Sequence, residues 1–411
     1  MTRHRWLGAL AAVLGAALAA QAGVWLLWPR SGVVTPVEVS AATYFSGAQL
    51  VRAQQFRGPQ LPIYLAQTLL ALALLTFLAL RPPRWLERLA GGTRRPLVRV
   101  AATAAALSLL LALAALPLAA VGRQRAIDVG LVTRSWLGWA QDVAAGSAIQ
   151  AALMALTAVA LIALMRRLPR WWWVPASAVV VVGAAVLLYV TPVVVDPLFN
   201  RFTPVQGEVR SEVLELAERA GVDVGEVFSV DASRRTTGAN AYVAGFGPTR
   251  RVVVYDNLLA NFPRDEVRFV VAHELAHQHY DDVPRGLLYV LLIGPAALAA
   301  VAFMVRRLAP GEPGARADAR AVPALALALA LVVPIVTSVS NQLSRRVEAR
   351  ADTFALELTD APDALVGFRV RSVVRNVSDP DPPPLGEWLL GTHPTALERI
   401  GAAEAWRRGA R

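Results

Sequence analysis

The chain has no cysteine and no lysine, and only five of its 411 residues are histidine. Without cysteine there is no disulfide, no thiolate zinc site and no cysteine nucleophile. Without lysine every basic side chain is an arginine, and heavy use of Ala, Arg, Gly and Pro alongside suggests a GC-rich bacterial genome. Charged residues are scarce, at 17%, whereas 55% are apolar, above the roughly 45–50% of an ordinary soluble chain. That excess belongs in a very large core or in a bilayer. The formal charge is +11, from 41 basic and 30 acidic side chains. Such an excess can serve nucleic acid, but here the arginines flank apolar runs, which reads as membrane-edge charge and not as a nucleic-acid partner.

A helix needs about 20 mostly apolar residues to cross a bilayer. Seven stretches qualify: Trp6–Trp28, Leu61–Leu80, Val98–Val121, Val143–Met165, Trp171–Val190, Gly286–Val305 and Ala321–Ser340, none with a charge in its interior, Arg99 lying at the very edge of the third. The first has features of a signal peptide, with Arg3 and Arg5 before it and Ala20-Gln21-Ala22 near its end. Its length and the spans that follow favour an uncleaved helix. Trp25, Trp28, Arg81, Trp85, Arg166, Arg167, Trp171 to Trp173, Arg306 and Arg307 sit at span ends, where an amphipathic ring or a snorkelling guanidinium meets water.

The expected organisation is therefore five spans within 1–190, a polar piece at 191–285, two more spans within 286–340 and a second polar piece at 341–411. Two spans separate the polar pieces, so they must share one face of the membrane. In the first piece Glu208–Ala220 has helical periodicity. Glu226–Val230, Asn240–Gly245 and Arg251–Asp256 have strand character, the last two around a turn at Gly245-Phe246-Gly247-Pro248. Asp265–Tyr280 reads as a helix preceded by Pro263. Arg306–Arg320 reads as a mobile loop and Asp379–Pro384, DPDPPP, as an irregular connection.

Three of the five histidines fall in HELAHQH, His273 to His279. On a helix His273 and His277, four apart, share one face, where a single ion can meet both. Glu274 follows the first directly and can reach water at the metal. This is the H-E-x-x-H arrangement of zinc peptidases. His279, six residues past His273, is rotated off that face. A catalytic zinc usually takes three protein ligands, and Tyr280 and Val283 stand where one class of such sites continues with Gly and His. The third ligand must come from elsewhere on the same face. The second polar piece offers Glu348 and Asp352 in SRRVEARAD, four apart on a helix. Glu348 can ligate while Asp352, one turn on, orients a ligand histidine through its free ring N–H. The competing reading is an ordinary charged helix face with Arg345, Arg346 and Arg350 as partners. His393, in GTHPTALER, precedes a helix and can donate to the oxyanion of a tetrahedral intermediate, with Arg399 six residues on as support.

Taken in order, PLFNRFTP at 197–204, ANAYVAGFG at 239–247, HELAH, VEARAD and THPTALER resemble the type I CAAX prenyl protease family of integral-membrane zinc endopeptidases. The resemblance runs over most of the chain and implies one zinc per chain, held by His273, His277 and Glu348, with Glu274 as general base. It implies that Asn240, His393 and Arg399 hold the substrate backbone and oxyanion. The edge around Asn240, Ala241 and Tyr242 would pair with an extended peptide by strand addition. The expected fold is mainly α, a polytopic membrane protein with about seven transmembrane helices and a small α+β zincin-like (gluzincin) catalytic domain. The expected function is peptide-bond hydrolysis in a peptide or membrane-protein substrate, in a multi-pass bacterial plasma-membrane protein in contact with the lipid bilayer. The prenylated specificity of eukaryotic members does not carry over to a bacterium. Competing classes are a transporter on the same helices, which the lack of intramembrane charges opposes, and an inactive scaffold, which would need no Glu274.

With seven spans, the N-terminus and even-numbered loops carry fifteen arginines, against six in the short loops of the other face. The positive-inside rule then puts the polar pieces outside the cell, whereas the resembling family is drawn with that face in the cytosol. Alkaline phosphatase fused after Arg411 should be active if the arginine count governs; a fluorescent but phosphatase-inactive fusion pair would reverse the topology.

Overall fold

The computed structural model describes residues 3–92, 94–244, 251–308 and 317–410. Among these, seven helices are long and apolar enough to cross a membrane. They are Arg3–Leu27, Gln60–Leu80, Pro96–Asp128, Trp136–Arg167, Trp173–Val190, Asp282–Leu308 and Val322–Thr359. Each overlies one of the apolar stretches read from the sequence. A helix satisfies its own backbone polar groups, which is what a hydrocarbon solvent demands. Their inner faces interlock through Leu75, Leu107, Ile162, Val301, Leu325 and Val332. Their outer faces leave Leu69, Leu113, Leu156 and Val182 largely exposed, as lipid contact allows.

The seventh helix departs from expectation. Its 38 residues span about 57 Å at 1.5 Å per residue, well beyond a hydrocarbon core of about 30 Å. The change from apolar to polar residues after Ser340 marks the membrane edge, not the helix end. No Gly or Pro interrupts residues 341–361, so the helix runs on until Asp360, which takes a left-handed φ of 47°. Glu348 and Asp352 thus ride on the same rod that crosses the membrane.

The two polar pieces share one core. Val213, Leu216, Val227, Phe269 and Leu275 from the first pack with Leu356, Leu365 and Trp406 from the second. The one-face requirement is met. A four-stranded sheet lies over this core in the order β1 (Phe202–Pro204), β2 (Glu226–Val230), β4 (Arg251–Tyr255), β3 (Ala241–Ala244). β2 and β4 are parallel; the flanking pairs are antiparallel, with Tyr242 opposite Val253. Val252, Val253 and Val254 are fully buried, so β4 is covered on both faces, and its unbroken valine run is what such a strand requires. Among the described residues β3 is left as an edge. β1, three residues long and ending in proline, was not expected. The turn expected at Gly245–Pro248, and positions 309–316 of the loop expected between Arg306 and Arg320, lie outside the described residues. Residues 379–383 carry no regular structure, as DPDPPP implied.

The segment after the first helix straps the core. Val34 N–H donates to Thr353 Oγ1 at 2.9 Å, and Val37 N–H donates to the carbonyl of Gly401 at 3.2 Å. Gly401 is buried in the Ala396–Arg407 helix, and a Cβ there would lie 2.2 Å from the Val37 carbonyl oxygen. Only hydrogen fits. Gly401→Ala should cost about 1–3 kcal/mol, as overpacking of a tight contact does, and lower the unfolding midpoint in detergent. Gly183→Ala, whose Cβ meets nothing within 4 Å, should leave that midpoint unchanged; equal behaviour of the two variants would deny the strap a stabilising role.

Candidate metal centre

The helix Arg264–His279 starts behind Pro263, with Asp265 and Glu266 in its first turn, where acids suit the helix dipole. Glu266 is buried and accepts from Arg371 Nε at 2.9 Å, which locks the helix against its neighbour Pro362–Arg375. Four-residue spacing then brings the His273 and His277 rings to 5.1 Å, centroid to centroid, at right angles. His279 lies off this face. It is exposed, and its Nδ1 donates to the Ala220 carbonyl.

Glu348 meets both rings. Its Oε2 is 3.1 Å from His273 Nε2 and its Oε1 is 3.6 Å from His277 Nε2. One ligand atom from each of His273, His277 and Glu348 can be chosen so that all lie within 4.8 Å of one another. The opposite ring nitrogens are also occupied. His273 Nδ1 is 3.0 Å from Asp352 Oδ1, and His277 Nδ1 is 2.9 Å from Asp282 Oδ2. An Nδ1–H that donates to a carboxylate leaves Nε2 as a bare lone pair. In this arrangement each bare Nε2 faces a Glu348 oxygen, acceptor against acceptor, and only a cation between them relieves the conflict. Burial alone would depress the His273 imidazole, but its hydrogen bonds to Asp352 and Glu348 outweigh burial and raise it to about 9. The donor set, two imidazoles and a carboxylate, fits zinc in an open catalytic site.

Arg345 and Arg346 donate to backbone carbonyls of Gly391 and Pro29, and Arg350 pairs with Asp282. None of the three holds Glu348 or Asp352, so the ordinary charged-face reading of VEARAD fails. Asp282 was not anticipated. It begins the sixth spanning helix, and the chain reverses just before it through Asp281, whose left-handed φ of 52° an aspartate tolerates. That reversal brings a carboxylate back to His277. An acid five residues past the second histidine is the only sequence signal it leaves.

Glu274 and His273 line a cavity of about 550 Å³ together with Asn240, Tyr255, His393 and Arg399. Burial pushes the Glu274 carboxyl above its ordinary range, against the pull of His273 and His277, as a base working near neutral pH requires. His393 is exposed at the cavity, its Nε2 3.4 Å from Glu348 Oε2 and its Nδ1 2.9 Å from Thr392 Oγ1. Asn240 is exposed just ahead of β3. Ala241 is buried, so it has only backbone to offer a ligand. Tyr242 lines a different cavity, beside Asp196 and Gln278. Arg399, expected toward substrate, is itself buried, and its guanidinium pairs with Asp352 behind His273.

These features have counterparts in known proteins. A model of Peptidase family M48 matches residues 204–407, and a model of the CAAX prenyl protease N-terminal region, five membrane helices, matches residues 40–201. An uncharacterized metalloprotease, YhfN, of Bacillus subtilis is 30% identical over 304 residues, covering 72% of this chain and 71% of its own. The chain belongs to peptidase family M48. A CAAX prenyl protease 1 homolog of Oryza sativa is 28% identical over 224 residues, 53% of this chain and 52% of that protein. The crystal structure of S. mikatae Ste24p shares the fold, with a TM-score of 0.76 at 18% identity over 96% of this chain and 99% of that one. As an M48 member the chain is a membrane zinc metalloendopeptidase.

The geometry orders the effects of substitution. Glu348→Ala should lose most bound zinc, because two ligands rarely hold the ion in an open site. Asp352→Asn and Asp282→Asn should weaken zinc by about 10–100-fold each, the usual cost of losing a group that only orients a ligand. Zinc retention after chelator dialysis reads the order. If Asp352→Asn were empty while Glu348→Ala stayed full, the ligand would sit one helical turn further on.

Proposed function

We propose that this M48 enzyme cleaves peptide or membrane-protein substrates at a centre formed by His273, His277 and Glu348, with Glu274 as general base. The observation that carries this reading is the pair of imidazole Nε2 atoms facing Glu348 beside the half-buried Glu274 in a solvent-accessible cavity. Bound there, zinc supplies Lewis acidity, polarising a carbonyl and acidifying water. Glu274 takes a proton from water and passes it to the departing amine, and its raised affinity for protons suits both steps. His393 donates from Nε2 to the oxygen that becomes negative. Asp352 and Asp282 keep the two imidazoles turned, and Arg399 acts through Asp352. The extended substrate lies along β3 beside Asn240, Ala241 and Tyr242, adding a strand to the sheet's free edge.

In this reading the catalytic unit is assembled from 191–285 and 341–411, and 1–190 with 286–340 form the membrane part. The arginine-only, alanine-rich composition and the Bacillus relative support a bacterial plasma membrane. Names that mention CAAX prenyl proteases describe the relatives' substrates. Glu274→Gln should keep zinc and still bind peptide, yet lose casein cleavage by about 100-fold or more, since an amide cannot accept the proton. Activity within tenfold of the parent protein would point to another base.

A further inference from the structure

The cavity has a second wall, the helix Pro362–Arg375 and the turn that follows. Arg369, Ser372 and Asn376 stand three and four residues apart and all line the cavity, so one helical face is polar there. The protein does not use this face up. Among the described residues no acceptor lies within hydrogen-bond reach of Arg369; its Nε is buried and unpartnered, and its close contact is the Phe368 ring at 4.6 Å. The other cations of the cavity are occupied. Arg57 donates to the carbonyls of Asn376 and Val377, and Arg399 is held by Asp352. Asn376 donates from Nδ2 to Ser372 Oγ and leaves Oδ1 buried without a donor. Burial and the nearby Arg399 cation draw the Arg369 guanidinium down to about 9, against the pull of Asp352, Glu348 and Glu274, none of which hydrogen-bonds to it. Leaving such groups unpaired is costly.

The sheet gives this wall a direction. Gly238, Ala239 and Asn240, just before β3, line this cavity, whereas Tyr242 and Val243 line a different one further along the strand. A peptide that adds to β3 in the more stable antiparallel sense runs with its C-terminal side toward Asn240 and Gly238. With its scissile carbonyl at Glu274, the part beyond Asn240 is the fragment released by cleavage.

We propose that Arg369 is the receptor for a carboxylate on the C-terminal side of the scissile bond, and that Asn376 Oδ1 accepts a backbone N–H of the same fragment. The proposal rests on the peptidase reading above and adds a specificity-determining residue to it. The carboxylate is either the substrate's chain terminus or an acidic side chain.

The test uses dansyl-pentaalanine in three forms: with a free C-terminus, as the C-terminal amide, and as an amide with Glu at the last position. Binding is measured to the full-length, zinc-loaded Glu274→Gln protein in detergent, with and without Arg369→Gln. The best carboxylate form should bind about tenfold or more tighter than the plain amide, as a charge-assisted hydrogen bond allows. In Arg369→Gln that ratio should fall to about one. If the Glu amide matches the free acid, a side-chain carboxylate suffices; if it matches the plain amide, the chain terminus is read; either supports the receptor. A ratio that survives Arg369→Gln, or carboxylate and amide forms that bind alike before substitution, overturns it. Arg369→Met, which keeps the aliphatic stem, carries the test should the Gln variant lose zinc. Casein cleavage by the unsubstituted protein is followed separately: its absence would count against the peptidase reading, whereas the binding ratio speaks only to Arg369.

Discussion

The contact on which the site depends is Glu348 against the two HELAH imidazoles. It joins a helix that crosses the membrane to a helix that does not, and it brings two chain pieces separated by two spans into one catalytic unit. Every other placement follows from it. Asp352 falls behind His273 because it is one turn past Glu348 on the same rod. Asp282 falls behind His277 because the chain turns back at once to begin the sixth span. The strap at Val34–Val37 closes over the far side, tied to both Thr353 and Gly401.

Charge is arranged in alternating layers around this contact. Imidazole Nε2 atoms face Glu348, carboxylates back the opposite ring nitrogens, and guanidiniums back the carboxylates: Arg399 on Asp352 and Arg350 on Asp282. A buried carboxylate left alone would be expensive. Here each has a cation on one side and an imidazole on the other, so the imidazoles are fixed in tautomer and direction before any ligand arrives. Pre-orientation of this kind lets a two-histidine helix hold an ion with one position free for substrate.

Much of this was legible in the sequence because it is local. His273, Glu274 and His277 are fixed by helical spacing, and Glu348 and Asp352 by the same spacing 75 residues on. The apolar runs located every span, and the valine run located the central strand. What escaped depends on tertiary reversal. Asp282 becomes a partner only through the left-handed turn at Asp281. Arg369 and Asn376 sit in FRVRSVVRN, which reads like any amphipathic helix with a solvated face; only the sheet edge opposite shows that the face looks into a cavity. Arg399 lines the cavity, as its spacing from His393 suggested, but that spacing could not show that its guanidinium is paired with Asp352. The seventh helix ran longer than expected because hydropathy reports the solvent and not the end of the backbone pattern.

That last feature has a mechanical side. The helix continues through Pro334 as one long lever, and Glu348 lies some 18 residues, about 27 Å, from the middle of the apolar stretch. Rocking the lever by five degrees about that midpoint would carry the carboxylate about 2 Å sideways by the same rise per residue, as far as a whole metal–ligand bond. Tilt in a bilayer is set by hydrocarbon thickness and by neighbouring helices, so the lipid and the first and sixth spans become part of the tolerance to which the catalytic centre is built. Tyr289 Oη against Ser340 Oγ, 2.7 Å apart, and Gln342 against Gln21 are the polar pins that hold the lever at its angle, two turns below the site.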